Sequence, residues 1–112
     1  MFEIWGAAEA VVSVSVGYVE ARAALARRLA PQDGRRARRR LAEYWQPVET
    51  VRIDEMLVAD AADLADSRRL RALDALHLAA AEQVRDEALV FVTWDGELAQ
   101  AARDAGFASL PV

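Results

Sequence analysis

The chain has 112 residues, of which 54% are hydrophobic, and carries a formal net charge of −4. That length suits one compact domain spanning residues 1–112 and is too short for two. Cysteine is absent, which excludes disulfides, thiolate metal sites and thiol catalysis. No apolar run reaches the length of a membrane span, and the opening "MFEIWGAAEA" lacks the basic flank of a signal peptide, so a cytoplasmic protein with no membrane partner is expected.

All 14 basic residues are arginine, and eight of them crowd into Arg22 to Arg40. Residues 54–112 hold twelve of the 18 acids. Such an uneven distribution marks either a surface that faces a polyanion or a solvated helical face.

In chain order, Met1 to Ala10 reads as the end of a helix, and "AVVSVSV" (Ala10 to Val16) as a short β-rich run. Ser13 or Ser15 is placed to cap a helix running to Leu29. "APQDG" reads as a break, Arg35 to Trp45 as a strongly basic helix, and Val48 to Ile53 as a strand after Pro47. Asp54 then caps a helix over Glu55 to Asp66. "SRRLR" connects it to Ala72 to Arg85, a helix apolar nearly all round and so expected to be buried. Ala88 to Thr93 is a continuous apolar run, as in a strand covered on both faces. Asp95 caps a last helix over Gly96 to Asp104, Gly106 ends it, and "FASLPV" closes the chain as a strand. Strands alternate with helices and no hairpin signal intervenes, so the fold class is α/β with a parallel sheet between helices.

Three carboxylates stand out. Asp74 interrupts the most apolar helix, where an ionised group is costly unless paired or metal-bound; as a first-turn acid it also complements the helix dipole. Glu20 is flanked on its helix by Val16, Gly17, Ala23 and Ala24, a small apolar face that points it inward, toward a metal or a core arginine. Asp95 sits at the carboxyl end of a strand, where open parallel sheets bind ligands, and it is also a natural helix cap. If the three converge, their mutual repulsion calls for a hard divalent cation, for which Mg²⁺ or Mn²⁺ suits.

"YVEARAAL" (Tyr18 to Leu25), "LRALDALHLAAA" (Leu70 to Ala81) and "LVFVTWDGELAQAARDAGFASLPV" (Leu89 to Val112) closely resemble the PIN domain, and within it the VapC-type ribonuclease toxins of toxin–antitoxin pairs. The resemblance implies a three-layer α/β sandwich with a parallel sheet and an endoribonuclease dependent on Mg²⁺ or Mn²⁺. It makes Glu20, Asp74 and Asp95 the catalytic and metal-binding residues, and it implies a homodimer and a cognate antitoxin. Thr93 matches a position where the family keeps a hydroxyl near the site, and with Arg22, Arg35 and Arg36 it is a candidate RNA contact. His77 also fits the pattern and reads as a packing residue. The chain departs from the family at its start, where the first strand and helix, with the "D-x-S" aspartate, have no counterpart. The resemblance therefore predicts an activity impaired by that loss, or an N-terminally incomplete chain. The alternative is a non-catalytic module of the same fold that dimerises or binds an antitoxin.

Overall fold

The computed structural model describes Ala8, residues 10–93 and residues 95–111. The helix expected over Met1 to Ala10 falls mainly on residues outside that set. The chain divides into two compact units, residues 1–52 and residues 53–112.

The first unit opens with strand β1 (Val12–Val14), whose last residue is 1% exposed. Helix α1 (Gly17–Arg28) follows, then α2 (Pro31–Trp45) and strand β2 (Glu49–Val51). β1 and β2 pair in parallel with Val12 opposite Glu49 and Val14 opposite Val51. Hydrogen bonds from Glu49 to Val11 and from Ser15 to Val51 extend the ladder at both ends. Two expectations are corrected here. Neither serine caps α1: its N-cap is Val16, which makes no side-chain cap bond, and the Ser13 hydroxyl donates instead to the Val14 carbonyl at 3.1 Å. The helix then starts close under β1, because a Cβ on Gly17 would run into Ser13 Oγ and stand 3.1 Å from the Trp45 ring. The break expected at "APQDG" is shorter, with only Leu29 and Ala30 extended between the two helices. Pro31 occupies the first turn of α2, where its missing N–H would have had no partner anyway, so it starts the helix four residues before Arg35.

The buried side of α2 is set by period. Gly34 and Leu41 are buried, and Ala37, Arg38, Tyr44 and Trp45 are half-buried around them. Tyr18 of α1 meets Trp45 of α2 with ring centroids 5.4 Å apart. The opposite side presents Arg35, Arg36, Arg39 and Arg40.

In the second unit, Asp54 caps helix α3 (Glu55–Arg68) through a 2.8 Å bond from the Leu57 amide to its carboxylate, as the sequence predicts. The helix outruns the predicted end by two residues. It ends on Arg69, whose φ of 54° is left-handed and lets the chain reverse. Helix α4 (Ala72–Gln83) packs against α3. Ala75, Leu78, Ala79 and Ala80 are buried, but Leu73 is exposed, so the helix is covered on one broad side rather than all round. Strand β3 (Val90–Thr93), helix α5 (Gly96–Asp104) and strand β4 (Ala108–Pro111) form a βαβ unit with β3 and β4 parallel.

Leu78, Ala102 and Phe107 form the centre of this unit's core, with Leu64, Leu70, Leu89 and Phe91 against them. Successive strand residues point to opposite faces. Phe91 therefore faces Phe107, ring centroids 6.2 Å apart, while Val90 and Leu110 lie on the other face at 45% exposure each. β3 was expected to be covered on both faces, and Val90 is not. The described strands form two separate parallel pairs, β1 with β2 and β3 with β4.

α5 ends as Gly106 predicts. Gly106 has φ of 92°, its amide bonds to the Arg103 carbonyl, and the Phe107 amide reaches back to Ala102. Arg85 lies over this turn. Its guanidinium donates to the Ala105 carbonyl at 2.6 Å, pairs with Glu82 at 3.2 Å and stacks 3.9 Å from the Phe107 centroid.

Candidate active site

The clearest geometry is at the β3–α5 turn. Thr93, the last residue of β3, is half-buried, and its hydroxyl accepts from the Asp95 amide at 3.1 Å. Asp95 is exposed, and its Oδ1 accepts from Glu97 at 2.9 Å and Leu98 at 3.4 Å. One oxygen thus satisfies two amides at the positive end of α5. Oδ2 takes no hydrogen bond from the described residues. The capping role and a ligand role are therefore compatible in one side chain.

Asp74 lies in the first turn of α4, after the N-cap Arg71, which offers no side-chain cap bond. It is half-buried, as is His77 one turn on. Glu20 lies in the first turn of α1, with its amide bonded to the Val16 carbonyl. It is half-buried rather than turned fully inward, since no residue of α1 is buried. Glu20 belongs to the first unit, Asp74 and Asp95 to the second.

Three carboxylates are hard oxygen donors of the kind Mg²⁺ and Mn²⁺ take, and the spare oxygen of Asp95 fits that role. Among the described residues, no group of three or more His, Asp or Glu side chains is assembled as a metal site. The arginines named with them are all exposed: Arg22 bonds to the Tyr18 hydroxyl at 3.3 Å and lies over its ring, and Arg35 and Arg36 lie on the outer side of α2. Sequence reading passed over one concavity, a cleft lined by Asp60, Asp63 and Glu82 above Leu64 and Ala79. Acids three apart on α3 were a visible signal, but which side of α4 they would face was not.

These placements can be set beside known proteins. The family model "PIN domain" matches residues 2–104. The chain belongs to the PIN-domain family. It is 33% identical over 108 residues to a Mycobacterium tuberculosis (strain CDC 1551 / Oshkosh) protein named Ribonuclease VapC45, covering 92% of this chain and 75% of that one. The figures are the same for Ribonuclease VapC49 from strain ATCC 25618 / H37Rv. Ribonuclease VapC47 is 37% identical over 78 residues, covering 60% of this chain and 57% of its own length. No solved structure matches the chain significantly. Membership of the PIN-domain family accounts for the α/β order and the parallel pairing. No helix among the described residues is long and apolar enough to cross a membrane.

Proposed function

We propose that this PIN-domain chain is an endoribonuclease of the toxin type, cytoplasmic, homodimeric and held in check by a cognate antitoxin. The observation that carries the reading is the Thr93–Asp95 turn: a carboxylate fixed at the carboxyl end of a parallel strand with one oxygen to spare. Its likeness to proteins named Ribonuclease VapC supports RNA as the substrate.

In this reading Glu20, Asp74 and Asp95 are the candidate ligands for Mg²⁺ or Mn²⁺. The bound ion would supply charge neutralisation at the scissile phosphate and a more acidic water. The protein's own part is positional. Asp95 is locked by two amides of α5, so its second oxygen is presented without rotamer search. Thr93 fixes the backbone of that turn through its hydroxyl, which lies at the end of β3 as a candidate RNA contact. Glu20 or Asp74 would orient a water and take its proton. Arg22, Arg35 and Arg36 would meet substrate phosphates.

The test is cleavage of end-labelled RNA by the purified chain with Mg²⁺, with Mn²⁺ and with EDTA. Metal-dependent cleavage that disappears in Asp95→Asn is the expected result. No cleavage under any condition, together with retained dimerisation or antitoxin capture, would instead support the non-catalytic module.

A further inference from the structure

The cleft between α3 and α4, about 240 Å³ in volume, joins two chemistries. Its floor is apolar, from half-buried Leu64 and buried Ala79, and its rim is acidic, from exposed Asp60, Asp63 and Glu82. Glu82 pairs with Arg85, whereas Asp60 and Asp63 form no ion pair among the described residues. A rim of this sign repels phosphate, which rules out nucleic acid as the occupant. A wholly apolar occupant would strip water from two carboxylates and put nothing in its place. Arginine suits both parts: its methylene stem lies on an apolar floor while its guanidinium reaches a carboxylate at the rim.

The chain itself carries such an occupant. On α2, Arg35, Arg36, Arg39 and Arg40 are exposed on the side opposite Gly34 and Leu41. Like charges stand one turn apart there, which disfavours the helix until a counter-charge arrives. Arg35, Arg36 and Arg39 form no ion pair among the described residues. We propose that this face of α2 seats in the α3–α4 cleft of a second copy of the chain. Charge complementarity selects that occupant: eight of the 14 arginines lie between Arg22 and Arg40, and residues 54–112 hold twelve of the 18 acids. Each copy brings both halves of the contact, so a two-fold pair makes it twice. Arg35 and Arg39 lie about 6 Å apart along one helix axis and Asp60 and Asp63 about 4.5 Å apart along the other, so two guanidinium groups can meet two carboxylates within one turn. The ribonuclease reading gives Arg35 and Arg36 to RNA, so this pair is a resting form, additional to the proposed homodimer, that RNA must displace. Only that exclusion rests on the ribonuclease reading.

The test is sedimentation velocity in EDTA, without RNA, across a KCl series, and the salt-dependent part of self-association is the signal. Wild type should associate at low salt and come apart as KCl rises. Neutralising either side, in R35Q/R36Q/R39Q/R40Q or in D60N/D63N, should weaken the low-salt association about tenfold. The control E87Q/E97Q, which loses two exposed acids elsewhere, should keep it. Charge reversal tests the pairing directly: R35E/R36E/R39E and D60R/D63R should each lose this association alone and regain it when mixed. Every substituted position is exposed, and circular dichroism and melting confirm folding. Should a reversed variant unfold, the neutral variants carry the test. No salt-dependent association in wild type, association retained in both neutral variants, equal loss in the control, or folded reversed variants that fail to pair on mixing would overturn the contact. RNA added to the low-salt pair should dissociate it, and RNA bound with the pair intact would overturn the exclusion. A chain that pairs in this way but neither binds nor cleaves RNA refutes the ribonuclease reading and leaves the contact standing.

Discussion

Two strand-to-helix turns each deliver a candidate carboxylate, and they are built differently. At β3–α5 the acid is the cap: Asp95 closes the first turn of the helix through two amides. At β1–α1 nothing caps. Val16 offers no side chain to the helix, and the turn is instead set by the close approach of Gly17 to Ser13 and Trp45. Glu20 stands in the first turn of α1 and is not its N-cap. An acid that must be present to end a strand and start a helix says little about chemistry by its presence alone. An acid that is not the cap is not explained by that duty.

Substitutions can break or sharpen that contrast. The largest effect should come from Asp95→Asn, since Asn caps as well as Asp but cannot offer a carboxylate. RNA cleavage should fall by about 100-fold or more, with urea-unfolding free energy changed by less than about 0.5 kcal/mol. Intact cleavage would reduce Asp95 to a cap. Next is Gly17→Ala, where the added Cβ meets Ser13 and Trp45. Overpacking of this kind costs about 1–3 kcal/mol. Ser13→Ala in the same chain should recover most of the loss, and a double-mutant cycle showing no coupling would mean that the turn is not held by this approach. Asp95→Ala should cost about 1 kcal/mol through the lost cap, read as a lower urea midpoint. Glu20→Gln should lose a dipole contribution of roughly 0.3–1 kcal/mol. Its cleavage should nevertheless fall as far as that of Asp95→Asn. A stability loss matching Asp95→Ala would erase the distinction between the turns.

What could be read in advance follows the range of the interactions involved. Asp54, Asp95 and Gly106 act on amides and carbonyls within a few residues of themselves, and all three do what their position predicts. Ser13 failed as a cap because a hydroxyl can satisfy itself on the neighbouring Val14 carbonyl, and the competing geometry depends on how tightly Gly17 approaches. Pro31 was misread because proline ends helices and also begins them. The pairing of Val12 with Glu49, the exposure of Val90 and the depth of Glu20 depend on partners far along the chain, and no local pattern records them. The three carboxylates stand out in the sequence because acids are conspicuous in apolar company and at strand ends, whereas whether they meet is a property of the tertiary fold.

The two parallel pairs also differ in how far apart in sequence their partners lie. Val90 meets Ala108 across a connection that is little more than α5, whereas Val12 meets Glu49 across two helices. Each doubling of a closed loop adds only about 0.6 kcal/mol of entropy, so the difference barely touches equilibrium stability. It bears on time instead, because contacts close in sequence form sooner and distant ones wait for the chain to find them. The β3–α5–β4 segment, with Asp95 at its first turn and Arg85 clasping its last, is the part of the molecule able to assemble first. A refolding chain would then acquire the turn that carries Asp95 before β1 and β2 have met.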